Sequence, residues 1–223
     1  MKRMLRQLLA EGRIEAVARL AEERAGVLGA LVPLTYEADE ELAWRAVEAM
    51  GATAARVAER NPAAALEHLR RLLWLLSEES GGICWRAPES MAEIVRRQPE
   101  AFADYIPIIV HLLVELAEED LVHFRPGVLW AIGRLGPLAS AELAAVLPAV
   151  RTALAHPDPQ VRGMAVWALV ECGQSDVVTA IEPLSLDSGP VDLFEQGRLV
   201  RTTVGALAAR AGPGWRARVR RQG

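Results

Sequence analysis

Aromatic residues make up only 5% of this 223-residue chain, with 2 Tyr and 3 Phe. Strands favour β-branched and aromatic side chains, whereas Ala and Leu, which abound here, favour helices. An all-β fold is not expected. There are only 2 cysteines, Cys84 and Cys172, and neither belongs to a CxxC or Cys/His cluster. That excludes a zinc site of the usual spacing. It points to a reduced, cytoplasmic chain, with a single long-range disulfide as the weaker alternative. Long hydrophobic runs are missing too. The longest, Tyr105–Val114, contains Pro107 and His111 and covers about half a bilayer. The opening MKRMLRQLLAEGR is charged and amphipathic and lacks the apolar core of a signal peptide. No membrane contact is expected. No glycine pattern cradles a phosphate: neither GxxxxGK[ST] nor a helix-opening GxGxxG occurs. Nucleotide chemistry is unsupported, and no cofactor or metal is expected.

Charge is unevenly spread along the chain. Residues 197–223 carry seven arginines and no acid, and the whole chain has a formal charge of −4, which leaves −11 for the rest. An acidic body argues against a body-wide nucleic-acid groove. The basic tail, with Trp215 among its arginines, suits an anionic partner or the chain's own acidic face.

What the chain has is a repeat. A hydrophobic–Arg pair recurs as Trp44-Arg45, Trp85-Arg86, Phe124-Arg125 and Val161-Arg162, with the arginines 41, 39 and 37 residues apart. Acidic residues precede each pair: Asp39-Glu40-Glu41, Glu78-Glu79, Glu118-Glu119-Asp120 and Asp158. Pro33, Pro107, Pro148 and Pro183 fall within preceding helical stretches. Three markers thus share one period. Between them the apolar spacing is helical, as in Val161, Ala165, Leu169 and Cys172. Leu143, Leu147, Val150 and Leu154 form a matching stripe in the preceding helix. Each unit reads as two amphipathic helices joined by an acidic turn. Neither can bury its stripe alone, so units must stack.

The stretch Leu147-Pro148…Leu154…Asp158-Pro159-Gln160-Val161-Arg162…Ala165…Ala168-Leu169 resembles the HEAT repeat and the HEAT-like repeats named after bilin lyases. The likeness is closest over 140–173, good over 103–136, and thinner over 31–51 and 62–94, where Trp replaces Val. It implies an all-α solenoid, here four units across about 25–175, after two short helices at about 2–10 and 13–23. It also implies an Asp–Arg ladder, with Asp158 pairing Arg162. The solenoid is expected over residues 1–186, a capping segment over 187–212 and a basic tail over 213–223.

The capping segment departs from the repeat. Val191–Phe194 and Arg198–Thr202 alternate around Glu195-Gln196-Gly197, which predicts a small β-hairpin. Thr203 follows as the N-cap of a last helix ending near Gly212. Arg201 fits the repeat spacing as a fifth member, and the hairpin makes that match accidental.

Several residues are candidates for chemistry. The recurrent arginines either form a cationic ladder on the inner surface or pair with turn acids, which a planar guanidinium suits. With the units aligned on Arg, Glu48 and Glu89 stand where Val128 and Ala165 stand in the other two. Stacked helices lie about 8–10 Å apart. Glu48 and Glu89 are therefore expected to face one pocket beside Trp44 and Trp85, unless Arg45 and Arg86 pair with them. A carboxylate in partly apolar surroundings has a raised pKa and can serve as general acid or base. Two could hold a metal, or bind a cation against indole faces. The segment Ser80–Glu89 adds Gly81 and Gly82, which allow close backbone approach. Its Pro88 falls inside the expected helix. Cys84 reads as an inert thiol, with His68, His111 and His123 as the imidazoles a fold might bring near. Glu115, Glu118, Glu119 and Asp120 read as a dipole-matched turn. Trp130 and Trp167, at equivalent positions 37 residues apart, are core or interface anchors.

The function expected first is a non-enzymatic interaction or scaffold module, whose concave face of second helices holds a protein or peptide. The candidate surface comprises Trp44, Arg45, Glu48, Trp85, Arg86, Glu89, Arg125, Trp130, Arg162 and Trp167. The alternative is a lyase-like or small-molecule-binding protein using the Trp/Glu/Arg pocket. A HEAT-like DNA glycosylase comes third, because its groove should be basic.

Overall fold

The computed structural model describes residues 1–76, 86–118, 122–173 and 178–211. They are mostly helical and divide into two compact units, Met1–Tyr105 with Phe194–Leu199, and Ile106–Leu193 with the residues from Val200. The first unit contains α1 (Lys2–Ala10), α2 (Ile14–Glu23), α3 (Val27–Leu31) with a 3-10 turn at Val32–Tyr36, α4 (Glu40–Arg60), α5 (Pro62–Trp74), α6 (Ala87–Arg97) and α7 (Pro99–Phe102). In the second, α8 (Tyr105–Glu118) and a 3-10 turn at Val122–Phe124 precede α9 (Arg125–Leu135). A further 3-10 turn at Gly136–Ala139 leads to α10 (Ser140–Leu154), α11 (Pro159–Glu171) and α12 (Val178–Ile181). Strands β1 (Pro190–Glu195) and β2 (Arg198–Thr203) form a two-stranded hairpin before α13 (Val204–Ala209).

In the first unit, α4 packs against both α2 and α6. It starts where the Asp39 carboxylate accepts the Leu42 amide at 3.1 Å, one of the donors a helix N-terminus leaves open. Small residues then let its neighbour approach. A Cβ on Gly51 would sit 2.6 Å from the Glu93 carbonyl oxygen of α6. Leu5 and Leu9 of α1, one turn apart, are fully buried. Helix α4 runs to Arg60, well beyond the repeat that ends at residue 51.

In the second unit, α11 packs against α9, α10 and α13. Every residue from Gly163 to Val170 is buried, as expected of a helix apolar all round. Its Trp167 lies against Gly133 of α9, where a Cβ would meet the indole at 2.3 Å. Val191 of β1 uses the space over Gly163 in the same way. Asp158 caps α11 through the Gln160 amide at 2.9 Å.

The hairpin turns through Gln196 and Gly197, with φ of 51° and 76°. Two consecutive positive φ values match the twist of two-residue hairpin turns and explain the glycine. Arg201 lies in β2, as the hairpin reading requires. The Thr203 hydroxyl accepts the Ala206 amide at 3.1 Å. Thr203→Ala is expected to cost about 1 kcal/mol, read as a lowered thermal midpoint with an unchanged far-UV spectrum.

One local expectation is corrected. Pro88 does not interrupt a helix: it occupies the first turn of α6, where a missing amide hydrogen costs nothing. The run Arg125–Leu154 has the length and mean hydropathy, 1.2, of a membrane span, although no such run is read from the sequence. It is two α-helices separated at Gly136, where φ is 57°.

Candidate functional site

Helix α4 places Trp44, Arg45 and Glu48 on its first turns, and α6 places Arg86 and Glu89 at its start. Trp44 is buried and stacks on Phe194 with centroids 5.4 Å apart and planes 6° from parallel. The Arg86 guanidinium carbon lies 4.3 Å from the Trp44 ring centroid, a cation–π distance. Arg86 also ion-pairs with Glu40 of α4 and comes within 4.0 Å of Glu89. Arg45 pairs with Glu41. It donates to the Leu9 and Ala10 carbonyls at 3.2 and 3.0 Å and to Gly197 at 3.3 Å. One side chain thus ties the end of α1, the first turn of α4 and the hairpin tip. These arginines hold the fold together through turn acids and helix-end carbonyls.

Glu89 is the chemically distinctive group. It is 3% exposed, and its Oε2 accepts no hydrogen bond from a described residue. Burial pushes its carboxyl up to about 7, against the pull of the Arg86 charge. A carboxyl titrating near neutrality can donate or accept a proton at neutral pH. Glu48 is half-buried, with its Oε2 inside; a Cβ on Gly197 would lie 3.7 Å from that oxygen. Glu93, one turn beyond Glu89, is fully buried and pairs with Arg96 at 2.8 Å. Among the described residues, no group of three or more His, Cys, Asp or Glu could hold a metal ion.

In the second unit the Asp–Arg pairing differs from the expectation. Arg162 does not pair with Asp158, whose carboxylate is used as a helix cap. Its guanidinium instead forks onto Asp187 at 2.8 and 3.2 Å and donates to the His156 and Pro157 carbonyls at 2.7 and 2.9 Å. The Arg162 hydrogen bonds hold the Asp187 carboxyl below its usual range. Asp187→Asn is expected to cost about 1.5–3 kcal/mol at neutral pH, as for hydrogen bonds to charged groups. A depressed carboxyl stabilises the fold above its unfolded pKa and loses that contribution as pH falls through the folded value. The variant's deficit in chemical unfolding should therefore be full at pH 7 and vanish in acid.

Trp130 and Trp167 are core residues, 1% and 5% exposed. The Trp167 indole N–H donates to the Trp130 carbonyl at 3.4 Å. Arg125 opens α9 half-buried and forms no ion pair with a described residue. Burial pushes the Cys172 thiol up to about 12, so it is not a nucleophile at neutral pH. Burial and the Arg71 charge lower His68 to about 4, and its Nε2 lies 3.4 Å from Met50 Sδ. His111, His123 and Glu115 are exposed. The segment 80–85, with Cys84 and Trp85, lies outside the described residues, as do Glu119, Asp120 and the tail from 213.

The first unit also holds a cavity of about 410 Å³ that the repeat does not signal. Arg24, Arg56, Arg60 and Arg71 line it beside Val27, Leu28 and Val57. These arginines share no period, so only tertiary packing gathers them.

These features define a mostly helical protein that closes with a β-hairpin and a short helix. No model of a described protein family matches the chain. An uncharacterized protein of Archaeoglobus fulgidus is 30% identical over 189 residues, covering 79% of this chain and 91% of its own length. The chain belongs to the same family as that protein.

Proposed function

We propose that this chain is a non-enzymatic interaction module built from HEAT-like helix pairs. One observation supports the reading: the hydrophobic–Arg pair recurs near the starts of α4, α9 and α11. Trp44, Phe124 and Val161 are each buried at the start of a second helix. Arg45, Arg86 and Arg162 each lie half-buried and clamp acids or carbonyls of an adjoining turn or helix. Arg125 shares the half-buried position without an ion pair to a described residue. That recurrence supports a structural repeat, and repeats of this kind offer extended surfaces to partners.

The second helices α4, α6, α9 and α11 are buried along most of their length. A partner protein or peptide therefore meets the first helices and the turns. On α5, Glu67, Arg70 and Arg71 face solvent; on α10, Ala141, Ala144 and Ala145 do. A photo-reactive residue at Arg70 or Ala144 should cross-link one partner from a native extract. Excess unlabelled chain should compete that adduct away. If no adduct from either position is competed, the reading fails.

A second reading, a small-molecule site at Glu89, draws on a buried carboxyl poised near neutrality beside Arg86 and Trp44. Ligand titrations followed by Trp fluorescence test it. A response lost in Glu48→Gln/Glu89→Gln supports it, and a response unchanged by the pair removes it.

A further inference from the structure

The cavity of the first unit is walled by α2, its connection to α3, α4 and α5. Its charge is lopsided. Four arginines line it against one acid, Glu67, and His68 is neutral at physiological pH because its pKa is lowered to about 4. The acids nearest these arginines leave much of their donor capacity free. Arg56 is 3.8 Å from both Glu22 and Glu59, beyond hydrogen-bond length. Arg60 uses one nitrogen on the Glu22 carbonyl at 2.9 Å. Glu67 lies 3.8 Å from Arg70, which is not a lining residue. Arg24 and Arg71 form no ion pair with a described residue and are exposed at the rim.

Glu22 and Glu59 offset Arg56 from 3.8 Å and Glu67 adds one acid to the lining, so the four arginine charges are only partly compensated, and an anion relieves the remaining repulsion. The directions of approach narrow the anion. Arg56 and Arg60 come from one face of α4, one turn apart, Arg24 from the end of α2 and Arg71 from α5. A planar carboxylate presents two oxygens. A phosphate monoester presents three strong acceptors and close to two charges, and arginine forks match it. Below the arginines, Val27 and Leu28 are buried and Val57 is half-buried, so the same cavity has an apolar wall. A volume of about 410 Å³ falls in the range of small-molecule sites.

We propose that this cavity binds a small organic phosphate, its phosphate held among Arg24, Arg56, Arg60 and Arg71 and its apolar body against Val27, Leu28 and Val57. The cavity shares Glu67 and Arg71 with the solvent-facing side of α5 described above, but binding of a small phosphate is read without any protein partner, so its failure and the failure of the interaction reading are distinguishable.

Isothermal titration of the full chain with phenyl phosphate tests it, with inorganic phosphate and benzoate as the other two probes. Phenyl phosphate is expected to bind at least about tenfold more tightly than either, a difference of about 1.4 kcal/mol. Its affinity should fall as salt rises, because partly exposed charges are screened. Arg24→Gln with Arg71→Gln should weaken binding at least about tenfold while the thermal midpoint stays put, since neither arginine has an ion-pair partner among the described residues to lose. Ala64→Trp, at an exposed lining position, should block the apolar body with all four arginines intact. No binding of phenyl phosphate at millimolar concentration overturns the proposal. So does equal affinity for benzoate or inorganic phosphate, or binding that both variants leave unchanged.

Discussion

Glu89→Gln is expected to raise the unfolding free energy by on the order of 3 kcal/mol at pH 8 and to change it little below pH 4.5. The folded carboxyl titrates at about 7, against 4.5 for an unperturbed one. Each unit of difference is worth about 1.4 kcal/mol between protonation states. The sign follows from proton counting. Between those two values the folded chain holds a proton that the unfolded chain has lost, so stability falls as pH rises. Above about 7 the fold must carry a buried charge, which Arg86, 4.0 Å away, and a backbone amide hydrogen bond offset only in part. Gln keeps the shape and never charges. Chemical unfolding of both proteins from pH 4 to 8 isolates the residue, because other titrations cancel in the difference. A difference curve that is flat with pH places Glu89 in water rather than in the core.

Gly51→Val should cost about 3 kcal/mol or more. The added Cβ would lie 2.6 Å from the Glu93 carbonyl oxygen and 2.7 Å from its carbon. Those are backbone atoms of α6, which cannot swing aside as a side chain can. Overpacking a core typically costs about 1–3 kcal/mol, and backbone contacts lie at the upper end. Helix propensity works the other way, since glycine is the poorer helix former by up to about 1 kcal/mol. The measured cost is therefore a lower bound on the clash. Denaturant midpoints read it directly. A Gly51→Val protein within about 0.5 kcal/mol of the parent, the range of ordinary surface changes, would mean that α4 and α6 do not touch here.

Much of this was legible locally. Leucines four apart mark α1, and Thr203 and Asp158 cap helices because short oxygens there meet open amides. Alternation around a Gly-containing turn marks the hairpin. Glu89 was legible through comparison between units: it and Glu48 stand where two other units are apolar, and the structure buries Glu89 and half-buries Glu48. What escaped depends on distance along the chain. Asp187 reaches Arg162 from 25 residues away, and no local pattern singles it out from nearer acids. The first-turn place of Pro88 depends on where α6 begins, and the repeat alone starts that helix too early. Gathering Arg24, Arg56, Arg60 and Arg71 requires three elements to converge, which spacing cannot express. The extension of α4 to Arg60 hides in an Ala-rich stretch without a breaker before Asn61.

Amide hydrogen exchange across the whole chain separates buried second helices from solvent-facing first ones in a single experiment. Slowest exchange is expected in α4, α6, α9 and α11, with α5 and α10 exchanging faster on their outer faces. Should α6 and α11 exchange as quickly as α5 and α10, these helices are not the buried ones of their units, and the repeat reading falls.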